Sequence, residues 1–405
     1  MADSAIGASP RQHYIDNLRN LAVLALILFH TARLFDSESW HMKDAASYPA
    51  ADVLVGFLYA WQMPLLFMLA GASAAYSLGK RPVGVFVTER FYRLFVPLGV
   101  GMVLTVLPQV YLERISPFVP NRASPIDFYG GFLAFVPRFF VPPSYPKGNL
   151  SWHHLWFLSY LFVYSVLLAP LLWSMMRAAW PARLGEWLAR GWRPLLPVVP
   201  LALVELALRQ RFPVTNGLVD DWANHANYVT VLLLGALLAA SPSLGGGIAR
   251  LRFASLLLAT PLSLVWYAEH LWGHALIGAA AAPVANAMRG VVEWLWIATL
   301  IGYSRVLLDR PVPFLTGFTR YALPFYIVHQ LVIVWLGRMT FGWSDMPLAK
   351  YLAIALGAFA ISYALARLLD LTSVTRVLVG LKPPARRSMP RAEQTRIGGA
   401  GHLRA

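Results

Sequence analysis

Apolar runs long enough to cross a lipid bilayer recur through most of this 405-residue chain and restrict its fold more than any other feature. A hydrocarbon core of ~30 Å takes about 20 helical residues to span. Lipid offers the backbone no hydrogen bonds, so only helices and closed barrels cross it. The chain is 58% hydrophobic and only 13% charged, where ordinary globular chains carry about 25% charged residues. It reads as an all-α, polytopic integral-membrane bundle. Hydropathy places about ten transmembrane helices, near 17–35, 53–78, 94–112, 154–175, 194–208, 226–240, 253–270, 290–308, 321–338 and 348–370. One membrane domain, residues 1–372, is followed by a basic tail, 373–405, whose Pro-, Arg- and Gly-rich stretch from Lys382 is expected to be disordered.

The net charge of +15 does not form a basic stripe interleaved with aromatics, so nucleic acid is not an expected partner. Topology explains the excess better. Of the 34 Lys and Arg residues, 23 fall on the N-terminal side of the ten-helix arrangement, which puts both termini in the cytoplasm. The first apolar run starts after about twenty residues and lacks a convincing small-residue cleavage site, so it is expected to stay as a signal anchor. Cysteine is absent, which excludes disulfides, thiolate nucleophiles and Cys-ligated metals.

Arg19 and His30 lie eleven positions apart in that first helix. Eleven steps of about 100° return to within roughly 20°, so both side chains share one face, about 16 Å apart along the axis. A charge near the bilayer centre costs on the order of 2.5–3.5 kcal/mol, which favours a bundle interior or wet cavity. Asp16 sits within pairing reach of Arg19. Histidine titrates near neutrality, so His30 suits a general base acting on a hydroxyl nucleophile. The plainer alternative is a His30 that bonds a neighbouring helix and an Arg19 that snorkels to the interface.

In TERFYRLFVP (88–97), Arg90 and Arg93 are one turn apart, with Lys80 and Arg81 across a short loop. Such guanidiniums grip phosphate or pyrophosphate bidentately, although positive-inside topology alone also collects arginine here. No glycine-rich phosphate loop accompanies them. Gly71, Ala72 and Ser73 permit close helix approach, and Pro324 breaks a backbone hydrogen bond. Tyr326 and His329 share a helix face, so His329 is placed to orient His30, to bind substrate or simply to bond another helix. His153, His154 and Trp156 stand at the external end of the fourth span as candidate contacts for an outside substrate. The Pro- and aromatic-rich external stretch 113–153 suits a sugar-binding cap or an interfacial aromatic belt. Asp220, Asp221, Asn224, His225 and Asn227 match no metal-ligand template and are assigned a structural role. No fixed-period repeat and no matching broken helices favour a secondary carrier.

Together, YIDNLRNLAVLALILFH, MPLLFMLAGAS, ERFYRLFVP, HLWFL and LPFYIVH resemble the membrane-bound acyltransferase-3 family, over residues about 13 to 370. Its osmoregulated periplasmic glucan succinyltransferases look nearest, because HHLWFL and YALPFYIVHQ are similar to theirs. The resemblance implies a bacterial inner-membrane O-acyltransferase that moves an acyl group, succinyl in that group, from cytoplasmic acyl-CoA to a hydroxyl of a periplasmic glucan. It implies His30, Arg19 and Asp16 as catalytic residues. Acyl-CoA phosphates would rest on Arg90, Arg93, Arg81 and Lys80, and substrate on His329, Tyr326, His153, His154 and Trp156. Succinyl-CoA or acetyl-CoA is then a donor substrate rather than a bound cofactor, and no metal is expected. Partners are the acyl-CoA, the glycan acceptor and membrane lipid, with a homodimer also open. Direct transfer and an acyl-histidine intermediate both remain open. The rival functions are O-acetylation of another cell-surface glycan, transport of glycan or acyl substrates, and a structural membrane subunit.

Overall fold

The computed structural model describes residues 12–116, 122–124, 126–271, 282–340, 343 and 346–381, so the sequence's expected disorder from Lys382 falls outside the described residues. Among the described residues the chain is helical, with isolated bridges but no strand. It opens with α1 (His13–Ala32), then α2 (Pro49–Tyr59) and α3 (Gln62–Lys80), which share one span interrupted at Ala60 and Trp61. A second continuous span, Val83–Arg114, consists of α4 (Val83–Arg90), α5 (Val96–Gly101) and α6 (Leu107–Arg114). Wider π turns at Phe91–Phe95 and Met102–Val106 join these pieces. Pro97 and Pro108 follow them directly. A proline ring clashes with the carbonyl one turn back, and the wider turn relieves that clash without ending the helix.

Beyond a folded external stretch containing α7 (Phe132–Phe139), α8 (Trp156–Leu167) and α9 (Ala169–Met175) meet at 61°, where Pro170 removes an N–H. The segment α10 (Trp180–Leu188) turns through 109° into α11 (Val198–Leu208), past Gly191 at φ +56°. Then come α12 (Trp222–Ala240), α13 (Pro242–Leu271), α14 (Ala282–Leu307), α15 (Pro313–Met339), α16 (Pro347–Leu368) and the short α17 (Ser373–Leu378).

Seven of these helices are long and apolar enough to cross a membrane, or nine if each bent pair is one span. The sequence's tenth, α1, is not among them, because Asp16, Asn17, Arg19, Asn20 and His30 dilute its apolar character. Those polar residues are tolerated because α1 is enclosed. It packs against α2, α3, α14, α15 and α16. Asn17 Nδ2 donates to Leu308 O (2.8 Å) and Arg310 O (2.9 Å), and Asn20 Nδ2 to Leu315 O (2.7 Å) and Thr319 Oγ1 (2.7 Å). The Gln62 amide donates to Ala22 O at 2.9 Å from the other side. By contrast α13 and α16 bury only 17% and 28% of their apolar windows, so they form the lipid-facing rim.

Helices α3 and α12 touch backbone to backbone. A Cβ added at Gly71 would stand 2.0 Å from Leu232 O, and one at Gly235 would stand 1.9 Å from Met68 O. This is the close approach expected of the small-residue segment, and it matters because lipid-exposed helices associate through packing rather than hydrophobic burial. At the end of the chain, Arg320 holds Asp370 through two bonds of 2.6 Å and Arg376 Nε adds a third at 2.8 Å, tying α15 to α17. The Arg320 bond, helped by Arg376, pulls the Asp370 carboxyl down to about 2 against the opposing effect of burial.

Gly71→Ala and Gly235→Ala should each destabilise the purified protein by about 1–3 kcal/mol, the range for overpacking, read as a fall in detergent melting temperature. An unchanged melting temperature in both would mean that α3 and α12 are not in backbone contact. Because Asp370 is depressed in the folded state, its contribution is present above the usual carboxylate pKa and lost as pH falls from about 4 towards 2. Limited proteolysis after Asp370 should therefore accelerate over that window in the wild type. In Asp370→Asn it should be fast and independent of pH.

Candidate active site

His30 emerges from the last turn of α1 into a group of imidazoles contributed by separate segments. Its ring centroid lies 5.2 Å from His329 on α15 and 6.4 Å from His154, in the tight turn His153–Leu155 that leads into α8. His154 and His329 are themselves 5.1 Å apart, edge to face. Trp40 closes the group, stacking near-parallel over His30 at 6.0 Å. His329 and His154 are buried, whereas His30 is partly accessible.

Hydrogen bonds determine what two of these rings present. A backbone carbonyl only accepts, so His329 must carry its hydrogen on Nδ1, 2.6 Å from Tyr326 O. Likewise His154 must carry its hydrogen on Nε2, 3.0 Å from Ile327 O. Each neutral ring therefore keeps a bare nitrogen, His329 Nε2 and His154 Nδ1, and both are buried without a partner, as is His30 Nδ1. Buried polar atoms in folded proteins are normally satisfied, so three unpaired nitrogens on three segments mark a place where a polar ligand belongs. The Tyr326 hydroxyl does not face this space. It donates to the His154 carbonyl and fixes the turn against α15.

His153 joins a second group. At φ +40° its backbone occupies the left-handed region that a branched or bulky residue rarely adopts, and this turn sends adjacent histidines to different neighbours. His153 stacks on His41 at 3.9 Å and meets Tyr145 at 4.8 Å. Tyr145 Oη lies 3.0 Å from His41 Nδ1 and donates to Glu113 Oε1 at 3.2 Å. Sequence reading missed His41, Glu113 and Tyr145, since they lie in two loops and at a helix end with no shared periodicity. Burial, then the Arg33 charge, lowers His41 to about 3, so it is neutral at physiological pH. Burial and the Glu113 carboxylate raise the Tyr145 phenol.

The loop carrying Trp40 and His41 is held by buried charges. Lys43 Nζ donates to Arg33 O (2.8 Å) and Asp36 O (2.5 Å) and pairs with Asp36 Oδ1, while Arg33 pairs with Asp36 Oδ2. Burial raises the Asp36 carboxyl and lowers the Lys43 amine, and each partner opposes the other's shift.

The other predicted groups lie elsewhere. Asp16 and Arg19 do pair, at 2.9 Å, and Arg19 also donates to Ser73 Oγ on α3 at 3.1 Å. They sit at the other end of α1, about 16 Å of helix from His30, so neither touches its ring. Arg19 instead acts electrostatically on Arg90 and Arg93. Arg81 and Arg93 both pair with Glu89, Arg90 stacks on Phe86 at 4.6 Å, and the Nε atoms of Arg90 and Arg93 are buried without partners. The exposed Lys80 stands beside Arg81 at the end of α3. Trp156 does not join the histidines but packs among Phe67, Phe157, Tyr160 and Tyr228. The polar cluster after α11 does have structural bonds: Asp221 accepts from Tyr160 and Asn224, and Asn227 donates to Glu293.

The helical bundle, with helices long and apolar enough to span a membrane, thus carries a histidine group near one end of α1 and an arginine group near the other. The chain belongs to the acyltransferase-3 family, whose model, described as an acyltransferase domain, matches residues 12–367. Among curated proteins it is similar to glucans biosynthesis protein C of Salmonella typhi and of Salmonella typhimurium, at 24% identity over 160 residues. That match covers 38% of this chain and 37% of each relative, so the chain spans little more than a third of the length of those relatives. No solved structure matches.

Lys43→Met should destabilise the protein by up to about 3–5 kcal/mol, the range for breaking a buried pair, because Arg33 alone is left to Asp36, and it should release the loop that carries Trp40 and His41. The double variant Asp36→Asn with Lys43→Met should recover most of the lost melting temperature. Additive losses would show that the two side chains are not coupled.

Proposed function

We propose that this membrane acyltransferase moves an acyl group from cytoplasmic acyl-CoA to a hydroxyl of an extracytoplasmic glycan. The observation that carries the proposal is the clustering of His30, His154 and His329, with ring centroids 5.1–6.4 Å apart and one buried, unpaired ring nitrogen on each. The bare His154 Nδ1 and His329 Nε2 accept hydrogen bonds from neighbouring hydroxyls of the acceptor and so orient it, leaving the reacting O–H to His30. His30 takes the hydroxyl proton as the oxygen bonds to the thioester carbonyl carbon. The tetrahedral adduct then expels the thiolate, which takes the proton from His30 and leaves as coenzyme A.

At the opposite end of α1, the unpaired Nε atoms of Arg90 and Arg93 suit the donor's phosphates, with Arg81 and Lys80 at the rim. The length of helix between the two groups suits an extended pantetheine arm. Asp16 and Ser73 hold Arg19 facing the donor rather than His30. Counting the enclosed α1 with the nine possible spans gives ten, an even number that is compatible with both termini on one side, and the distribution of Lys and Arg supports the cytoplasmic side. The name of the Salmonella relatives directs attention to a glucan acceptor, and succinyl is the donor group favoured by the sequence resemblance.

Purified protein given succinyl-CoA or acetyl-CoA should release coenzyme A faster when a periplasmic β-glucan is added. His30→Ala should lower that rate by about 10²–10⁴-fold, the range for general-base catalysis. Arg90→Ala should raise KM for the donor more than it lowers kcat. Folded wild-type protein that releases no coenzyme A from either donor would overturn the donor assignment and favour transport.

A further inference from the structure

Among the described residues, one group of three metal-competent side chains stands together, and the acyl-transfer reading does not use it. The ligating atoms of His41, Glu113 and His153 all lie within 4.8 Å of one another. The residues come from three separate places: the loop after α1, the last turn of α6 and the turn before α8. Two of these positions are buried with no hydrogen-bond partner, His153 Nε2 and Glu113 Oε2, the latter 3.7 Å from His41 Nδ1.

We propose that His41, Glu113 and His153 bind a single divalent cation of the zinc class. Two imidazoles and one carboxylate form the mixed nitrogen and oxygen donor set that zinc takes at open sites, with a fourth position left for water or substrate. The outer contacts are also in place. Ser151 Oγ lies 3.0 Å from His153 Nδ1 and accepts from the His153 backbone N–H at 2.9 Å, fixing the ring that offers Nε2. Tyr145 bridges the other two residues, 3.0 Å from His41 Nδ1 and 3.2 Å from Glu113 Oε1. Contacts of this kind orient metal ligands and tune their basicity. The left-handed backbone at His153 is the strained element that brings its ring here while His154 turns to His30.

Arg114 is the strongest opposing charge. Its guanidinium is spent on Glu113 Oε1 at 3.2 Å, Gly148 O at 2.7 Å and Asn149 Oδ1 at 2.9 Å, which leaves Oε2 for the cation. Bonds of 2.0–2.1 Å in a tetrahedral site imply ligand separations of about 3.4 Å, so the three residues close by roughly 1 Å on loading and the stacked imidazoles part. His154, the sequence neighbour of one ligand, belongs to the proposed acceptor site, so the two sites share the turn before α8. A cation there would bind an acceptor hydroxyl and make it more acidic. This last role rests on the acyl-transfer reading, whereas the binding site itself does not.

The test is metal content of the full-length protein in detergent after exhaustive dialysis against zinc-free buffer, followed by zinc titration read by calorimetry and melting temperature. Wild type and His30→Ala should bind about one zinc per chain, and zinc should raise their melting temperature. Glu113→Gln and His153→Asn should lose at least tenfold in zinc affinity. His41→Asn, at the more accessible edge, should show the same loss if the buried variants fold poorly. Wild type that neither retains zinc nor responds to it would overturn the proposal, as would zinc binding unchanged in all three variants. Zinc binding by protein without acyltransferase activity would leave the site standing and remove only the acyl-transfer reading.

Discussion

The structure depends on how the first helix satisfies its polar side chains inside a bundle that sits in lipid. Asn17 and Asn20, one turn apart, donate to three backbone carbonyls and the Thr319 hydroxyl at the end of α14 and the start of α15. Arg19 turns to Asp16 and Ser73, and Gln62 reaches the backbone of α1 from α3. A polar group left unpaired in hydrocarbon costs several kcal/mol, so these bonds favour one rotation and depth for α1. With the helix so placed, His30 faces α15 and the turn before α8 rather than lipid.

A second buried polar network supports the opposite wall. Glu205 is bonded by Arg209 through two contacts of 2.8 Å and lies 3.7 Å from Arg289, and Asn227 connects it to Glu293. These side chains join α11, α12 and α14, helices whose contacts would otherwise rest on shape alone. The same network absorbs Asn224 and Asp221, which accounts for the polar cluster at the start of α12. Polar residues such as Asn17, Asn20, Asn227 and Glu205 therefore bind helices together, each through at least one hydrogen bond to another helix or to the turn beside it.

The external stretch beyond α6 is part of the second group. Tyr145 and the Arg114 bonds to Gly148 and Asn149 fold it back onto Glu113 and His41, so it closes over the histidines. Its placement agrees with a cap over an acceptor site, the role its composition shares with an interfacial belt. Family membership makes the chain a membrane acyltransferase, and the glycan acceptor is the proposal made above.

The sequence by itself determined the helical membrane architecture, the regions of most spans, the small-residue approach at Gly71 and the pairing of Asp16 with Arg19. Each follows from hydropathy or from helical spacing within one segment, which chain order records directly. It also singled out His30, His154 and His329, with a His329–His30 contact as one of several alternatives and His154 apart from both. Only the tertiary structure decided that those three meet, that His153 parts from His154, and that Trp156 belongs to an aromatic layer instead. It likewise joined His41, Glu113 and Tyr145, which are separated by tens of residues and carry no common period. Contacts between segments depend on how helices pack and loops fold back, and no local periodicity encodes that.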